Sequence, residues 1–240
     1  MRTYCNSFIL IKINLLYIFG IYLLRKFESM KKLLFAILIS FTFSTLSNAV
    51  NYRSGSFIAI SSAENLYHEC CLEDQISLKA FEKAMAGYEK YSPAKPILAI
   101  CDFTKPSNVE RFYIIDVANK KLLKKSLVAH GKNSGGLMAT KFSNTPESLQ
   151  SSLGFYMVSG SIQIPKHGLS LVLDGLEAGV NDNAKMRGII IHGADYVSEK
   201  FVNQYGYCGK SFGCPALPNE VVKEVAPILQ NGALLYIFNQ

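Results

Sequence analysis

The chain has 240 residues, 49% of them apolar, with ordinary glycine and proline counts, enough for one well-buried domain plus a leader. Its formal charge of +7 would suit nucleic-acid or membrane binding, yet residues 1–49 hold six of the 25 basic and one of the 18 acidic side chains. The remaining 19 basic and 17 acidic residues give 50–240 a net charge of only +2, which leaves no nucleic-acid footprint there.

Two apolar segments open the chain. FILIKINLLYIFGIYLL at 8–24 is interrupted by Lys12; residues 30–49 then carry two lysines, an apolar core from Leu33 to Phe43 and Ser47-Asn48-Ala49. The second has the three parts of a secretory signal peptide with cleavage after Ala49, and its core is short for a membrane span. Translation starting at Met30 would leave 1–29 untranslated; otherwise the two segments form a hairpin with Arg25, Lys26, Lys31 and Lys32 on the cytoplasmic side. Either way the rest of the chain is expected in a periplasmic or extracytoplasmic compartment, with the membrane involved only through the leader.

Residues 50–94 read as a helical segment. Ser61 and Glu64 stand at capping-box spacing, and Leu78, Phe81, Met85 and Tyr88 recur at helical intervals that suit core packing, until Ser92-Pro93 ends the pattern. One or two helices over 62–91 should pack against the domain over 95–240.

That domain reads as mainly β with added helices, an α+β chain. PILAICDF, ERFYIIDV and KLLKKSLVA are strand-like runs, with a turn at Asn119-Lys120 between the last two. Further strands are expected at 153–158, 169–173 and 188–192. Pro218 and Asn219 introduce a helix over EVVKEVAPILQ, which Pro227 should kink or shorten, and ALLYIF closes the chain as a strand. No repeat or low-complexity tract is evident.

Chemistry concentrates in residues 188–217. An apolar run ends in His192-Gly193, and a polar loop leads 22 positions later to Cys214 in Ser211-Phe212-Gly213-Cys214. A cysteine attacks carbonyls as thiolate, of which a free thiol with a pKa of about 8.5 supplies little at neutral pH. A neighbouring imidazole removes that limit by taking the proton and returning it to the leaving amine. Gly213 would allow a turn and close approach, so that N–H groups near Cys214 could receive an oxyanion. Spacing alone equally allows a buried small cysteine and a satisfied histidine that never meet.

The flanking residues decide between these readings. IIIHGADYVS followed by GKSFGCPAL resembles the murein L,D-transpeptidase catalytic domain family, whose site is a histidine-glycine pair upstream of Ser-x-Gly-Cys. The resemblance extends to VAHGKNSGG at 128–136, FSNTPESLQSSLGFYMVSG at 142–160 and LSLVLDGLEAGVNDNAKMRG at 169–188, and covers roughly residues 95 to 220. Many members read Ser-His-Gly-Cys with an arginine or asparagine after the cysteine; this chain has Phe212 and Pro215-Ala216, and is similar to the Ser-x-Gly-Cys-Pro-Ala branch.

The resemblance implies an L,D-transpeptidase-type β-sandwich with flanking helices. It also implies an exported cysteine acyltransferase acting on peptidoglycan peptide stems, with Cys214 as nucleophile, His192 as base and then acid, and Ser211 or a backbone carbonyl orienting the histidine. The acceptor would be a neighbouring stem amine, a lipoprotein lysine, a free D-amino acid or water. Alternatives are an L,D-carboxypeptidase or amidase-type hydrolase on the same fold, or a non-catalytic envelope binding module.

Around that pair, His130, Gly131 and Ser134 are candidates for a substrate-contacting edge or equally a structural turn, alongside Gly193 and Tyr196, the last of which could equally be packing. Arg187 could hold a stem carboxylate bidentately or pair with Asp174 or Asp195. His68 and His167 have no comparable setting and read as surface or satisfied histidines. No cofactor is called for, and no His, Cys or carboxylate cluster has metal-ligand spacing. Export leaves five cysteines in a disulfide-permissive compartment, where Cys208, six positions before Cys214, could form a reversible bond with it.

Overall fold

The computed structural model describes residues 62–240. The expected leader over 1–49 and the cap at Ser61 lie outside the described residues. Among the described residues, no helix is long and apolar enough to cross a membrane.

The helical segment is two helices, α1 (62–69) and α2 (Leu78–Tyr91). Cys71, in the left-handed region at φ 52°, turns the chain between them. Ser77 then caps α2 by accepting a hydrogen bond from the Ala80 N–H at 3.2 Å. Ser92, also left-handed at φ 43°, ends it by donating its N–H to the Tyr88 carbonyl. Phe81 and Met85 are buried as the helical spacing predicts, with Leu78 and Tyr88 partly buried beside them.

Eight strands complete the domain: β1 (Ile97–Asp102), β2 (Phe112–Asp116), β3 (Lys121–Ser126), β4 (Gly154–Ile164), β5 (Gly168–Gly175), β6 (Ile190–Gly193), β7 (Ala216–Leu217) and β8 (Ala233–Phe238). They form one mixed sheet in the order β3-β2-β1-β8-β4-β5-β6-β7. β1 runs parallel to β8 and β6 parallel to β7; the other neighbours are antiparallel. After β3 the chain crosses to the far edge, where Ala129 bridges Ala216 and Gly131 bridges Ser211, so that the sheet curls back on itself. The mainly β class with flanking helices is the one expected.

Period-two alternation divides the core. Ala99, Cys101, Tyr156, Leu171, Ile191, Leu235 and Ile237 face one side, against Val222, Val225, Ala226 and Leu229 of helix α4 (Asn219–Leu229). Leu98, Ile100, Tyr113, Ile115 and Leu234 face the other, against α1 and α2. β1 is buried at every position, which explains its unbroken apolar run. Helix α3 (Glu199–Tyr205) lies between β6 and β7 in the chain; Ser198 caps its start, and Gly206 at φ 83° its end.

Two details depart from expectation. Pro227 lies in the last turn of α4 without ending the helix, although it removes the N–H that would reach the Lys223 carbonyl, and Lys95 Nζ caps the exposed end by donating to the Pro227 and Ile228 carbonyls at 3.0 and 3.1 Å. β4 extends six residues past the expected end at 158. Ser159 to Ile164 have no fully buried member and alternate only at Ile162 and Ile164, yet they pair with β5 in a hairpin that ends in Pro165, Lys166 and His167. Gly168, at φ 65°, supplies the left-handed residue that a three-residue hairpin loop requires.

Candidate active site

β6 is a short apolar strand held between β5 and β7. Its register sets His192 opposite Ser170 on one side and Ala216 on the other. Because β6 and β7 are parallel, Cys214, two residues before Ala216, comes level with Ile190, two residues before His192. The pair that the sequence separates by a long loop thus lies on adjacent strand ends, and both side chains line one cleft of about 400 Å³.

The cysteine sits in a turn of defined geometry. Ser211 Oγ donates to the Cys214 carbonyl at 2.6 Å and accepts the Gly213 N–H at 3.1 Å. Gly213 has φ 127°, and a Cβ there would lie 2.8 Å from the Gln150 carbonyl oxygen, so only glycine fits. Its carbonyl accepts a hydrogen bond from Ser151 Oγ at 3.0 Å. The Gly213 N–H is therefore committed to the turn, while the Cys214 N–H has no hydrogen-bond acceptor among the described residues.

His192 is buried, with Nδ1 2.9 Å from the Gly193 carbonyl. A carbonyl only accepts, so Nδ1 carries the proton of the neutral ring and Nε2 keeps its lone pair. Of the two orienting groups that the resemblance allows, the backbone carbonyl makes this contact; Ser211 shapes the cysteine turn. Burial holds the His192 pKa below its ordinary value; the Gly193 bond opposes that, and His167 and Lys166 add to it. Burial also pushes the Cys214 thiol up, offset in part by the Ile190 amide, the Arg187 guanidinium and the cysteine's own amide. At neutral pH the resting pair is thiol and neutral imidazole, with the thiol 3.7 Å from the Gly188 carbonyl.

The remaining predicted residues divide by position. Tyr196 lines the cleft, its hydroxyl pKa raised to about 12 by burial and by the nearby Cys214. Gly193 permits close packing of α4: a Cβ would lie 2.4 Å from Asn219 Oδ1. Arg187 lines the cleft, but pairs with neither Asp174 nor Asp195. Its guanidinium donates to the Ser143 carbonyl at 2.7 Å, the Gln150 carbonyl at 2.5 Å, Ser148 Oγ at 3.2 Å and Ser152 Oγ, clamping the 143–152 loop behind the cysteine turn.

His130, Gly131 and Ser134 lie outside the cleft. His130 is fully buried, with Nδ1 2.8 Å from the buried Arg111 guanidinium, and burial and the Arg111 charge push its pKa down to about 3. The Gly131 N–H donates to Ser151 Oγ, and Ser134 Oγ accepts the Ser151 N–H. Their glycine-rich segment closes the sheet and braces the loop that supports Gly213. Cys208 is fully buried, its thiol donating to the Ser107 carbonyl at 2.8 Å rather than facing Cys214, and the five cysteines among the described residues are free thiols.

His167 is unremarkable in sequence. The β4–β5 hairpin brings it over the site, where its ring centroid lies 4.1 Å from that of His192, and Lys166 and Ile164 line the cleft with it. The only local signal is its place between two strand-like runs; the length of the hairpin, which decides where the tip lands, is not legible there.

No protein of curated function matches the sequence. Among solved structures, the chain is similar to an L,D-transpeptidase from Mycobacterium smegmatis, at 13% identity over 60% of this chain and 59% of that one, with a TM-score of 0.39. It is also similar to an L,D-transpeptidase from Stackebrandtia nassauensis, at 13% identity over 68% and 67% with a TM-score of 0.37. The L,D-transpeptidase of Xylanimonas cellulosilytica shows 12% identity over 60% and 61%, with a TM-score of 0.33. The chain thus spans about three fifths of the length of the Mycobacterium smegmatis protein. Residues 72–238 match the family model of the L,D-transpeptidase catalytic domain, and the chain belongs to that family.

Proposed function

We propose that this protein is an L,D-transpeptidase that acts on peptidoglycan stem peptides outside the cytoplasm. The observation that carries the reading is the parallel β6–β7 register, which sets a thiol and a histidine with a free Nε2 in one cleft of a chain from this family. As Cys214 Sγ bonds to the carbonyl carbon of the third stem residue, its proton passes to His192 Nε2. The oxyanion is met by the uncommitted Cys214 N–H. Collapse breaks the C–N bond, and His192 returns the proton to the departing D-alanine amine, leaving a thioester. An amine from a second stem, a lipoprotein lysine or a free D-amino acid then attacks the thioester, its proton passing to His192 and on to the departing Cys214 sulfur. Water in place of the amine gives hydrolysis. The leader with signal-peptide character supports export.

Two measurements test this. Incubation with a carbapenem, an acylating agent for active-site cysteines of this family, should add one adduct by intact-mass spectrometry, and Cys214→Ala should show none; an adduct that persists in the variant refutes the assignment. Incubation with tetrapeptide muropeptides should yield cross-linked dimers. Tripeptide products alone would identify a hydrolase, and unchanged substrate would refute catalysis on stems.

A further inference from the structure

The charged lining of the cleft is one-sided. Lys166, Arg187 and Lys210 contribute to it beside the imidazoles of His167 and His192, and no aspartate or glutamate does. A cleft with cationic walls and no internal counter-charge selects for an anionic ligand.

Most of those groups are already committed. Arg187 spends its guanidinium on the 143–152 loop. Lys210 Nζ donates to the Gly136 carbonyl and lies 3.1 Å from His130 Nε2. His192 is occupied by the Gly193 carbonyl on one nitrogen and left as the base on the other. Lys166 differs: its ammonium has no hydrogen-bond or ion-pair partner among the described residues, and rests only over the Phe212 ring, 5.7 Å from its centroid.

The hairpin tip that carries it is closed by the His167 N–H donating to the Ile164 carbonyl at 3.1 Å, with Pro165 fixing its own φ and Gly168 taking the left-handed one. On the other side of the cleft Phe212, 63% exposed and two residues before Cys214, offers an apolar face. A free ammonium and an exposed ring beside a nucleophile suit a small residue that carries both an apolar group and a carboxylate.

Resting on the transpeptidase reading above, we propose that Lys166 is a specificity-determining residue that binds the free C-terminal carboxylate of the donor peptide, with Phe212 packing against its terminal side chain. Donors whose terminal carboxylate is amidated lose this contact.

The test uses the Cys214→Ala protein, which cannot consume its ligand, titrated calorimetrically with a tetrapeptide stem as free acid and as C-terminal amide. The acid should bind about fivefold more tightly than the amide, the upper end of what an exposed ion pair contributes. Adding Lys166→Gln should bring the acid down to the affinity of the amide and leave the amide unchanged, while Lys166→Arg should keep the preference. Equal affinities before Lys166 is changed, or a preference that survives Lys166→Gln, overturns the proposal. If neither peptide binds and the unsubstituted protein also fails to turn over tetrapeptides, the transpeptidase reading fails and the anchor with it. If turnover is intact but insensitive to amidation, only the anchor fails.

Discussion

Replacing Arg187 by methionine separates a substrate anchor from a structural clamp. The guanidinium makes four contacts to the 143–152 segment, two of them to the carbonyls of Ser143 and Gln150. A hydrogen bond to a charged group contributes roughly 1.5–3 kcal/mol, and an acceptor left unmatched loses that and its solvation. Ser148 is partly exposed, Ser152 Oγ keeps its own bond to the Ser143 carbonyl and Arg187 is only partly buried, so the two carbonyl contacts dominate and need discounting. The net cost is about 3 kcal/mol. For a domain of this size that lowers Tm by roughly 6–12 °C. Differential scanning calorimetry of the purified protein at neutral pH measures it directly, and Arg187→Lys should recover only part, since an ammonium cannot span four acceptors. A variant that melts within about 1 °C of the parent while its KM for a tetrapeptide rises steeply would show that Arg187 serves the ligand and refute the clamp.

In the proposed mechanism His192 must be neutral to accept the thiol proton, and its pKa lies below the ordinary 6.5 or so, so the acid limb of kcat/KM should fall below about pH 6.5. Positive neighbours disfavour the imidazolium, so His167→Asn should raise the His192 pKa and move that limb upward by roughly a few tenths of a pH unit; a downward shift contradicts the close approach of the two rings. Gly213→Ala forces a Cβ onto the Gln150 carbonyl at φ 127° and should cost about 1–3 kcal/mol in thermal unfolding, with activity falling further as the cysteine turn moves. Since the Cys208 thiol is buried against the Ser107 carbonyl, activity should be equal with and without reductant under mild oxidation, measured by muropeptide turnover; reversible loss that Cys208→Ala abolishes would restore the redox-switch expectation.

Local patterns are enough to read much of this protein. The unbroken apolar run of β1 reads as a strand buried on both faces, the spacing of Phe81 and Met85 predicts the buried face of α2, and Gly213 announces a turn that tolerates no side chain. Each of these depends on residues close together in the chain, where periodicity and backbone sterics act. Glycines and polar residues at 130–136 look the same whether they line a site or brace one; burial of His130 against Arg111 places them in the second role.

Sequence alone therefore determined the mainly β class, the helices on its flanks and the chemical identity of the histidine and cysteine. Only the tertiary structure decided that parallel pairing of β6 with a two-residue β7 brings those two side chains into one cleft, that Arg187 turns to the loop behind it, and that an exposed hairpin carries Lys166 and His167 over it. Those outcomes are set by register and by partners up to 44 positions apart, as in the Arg187–Ser143 contact, and one residue's slip in pairing would reverse which way a side chain faces.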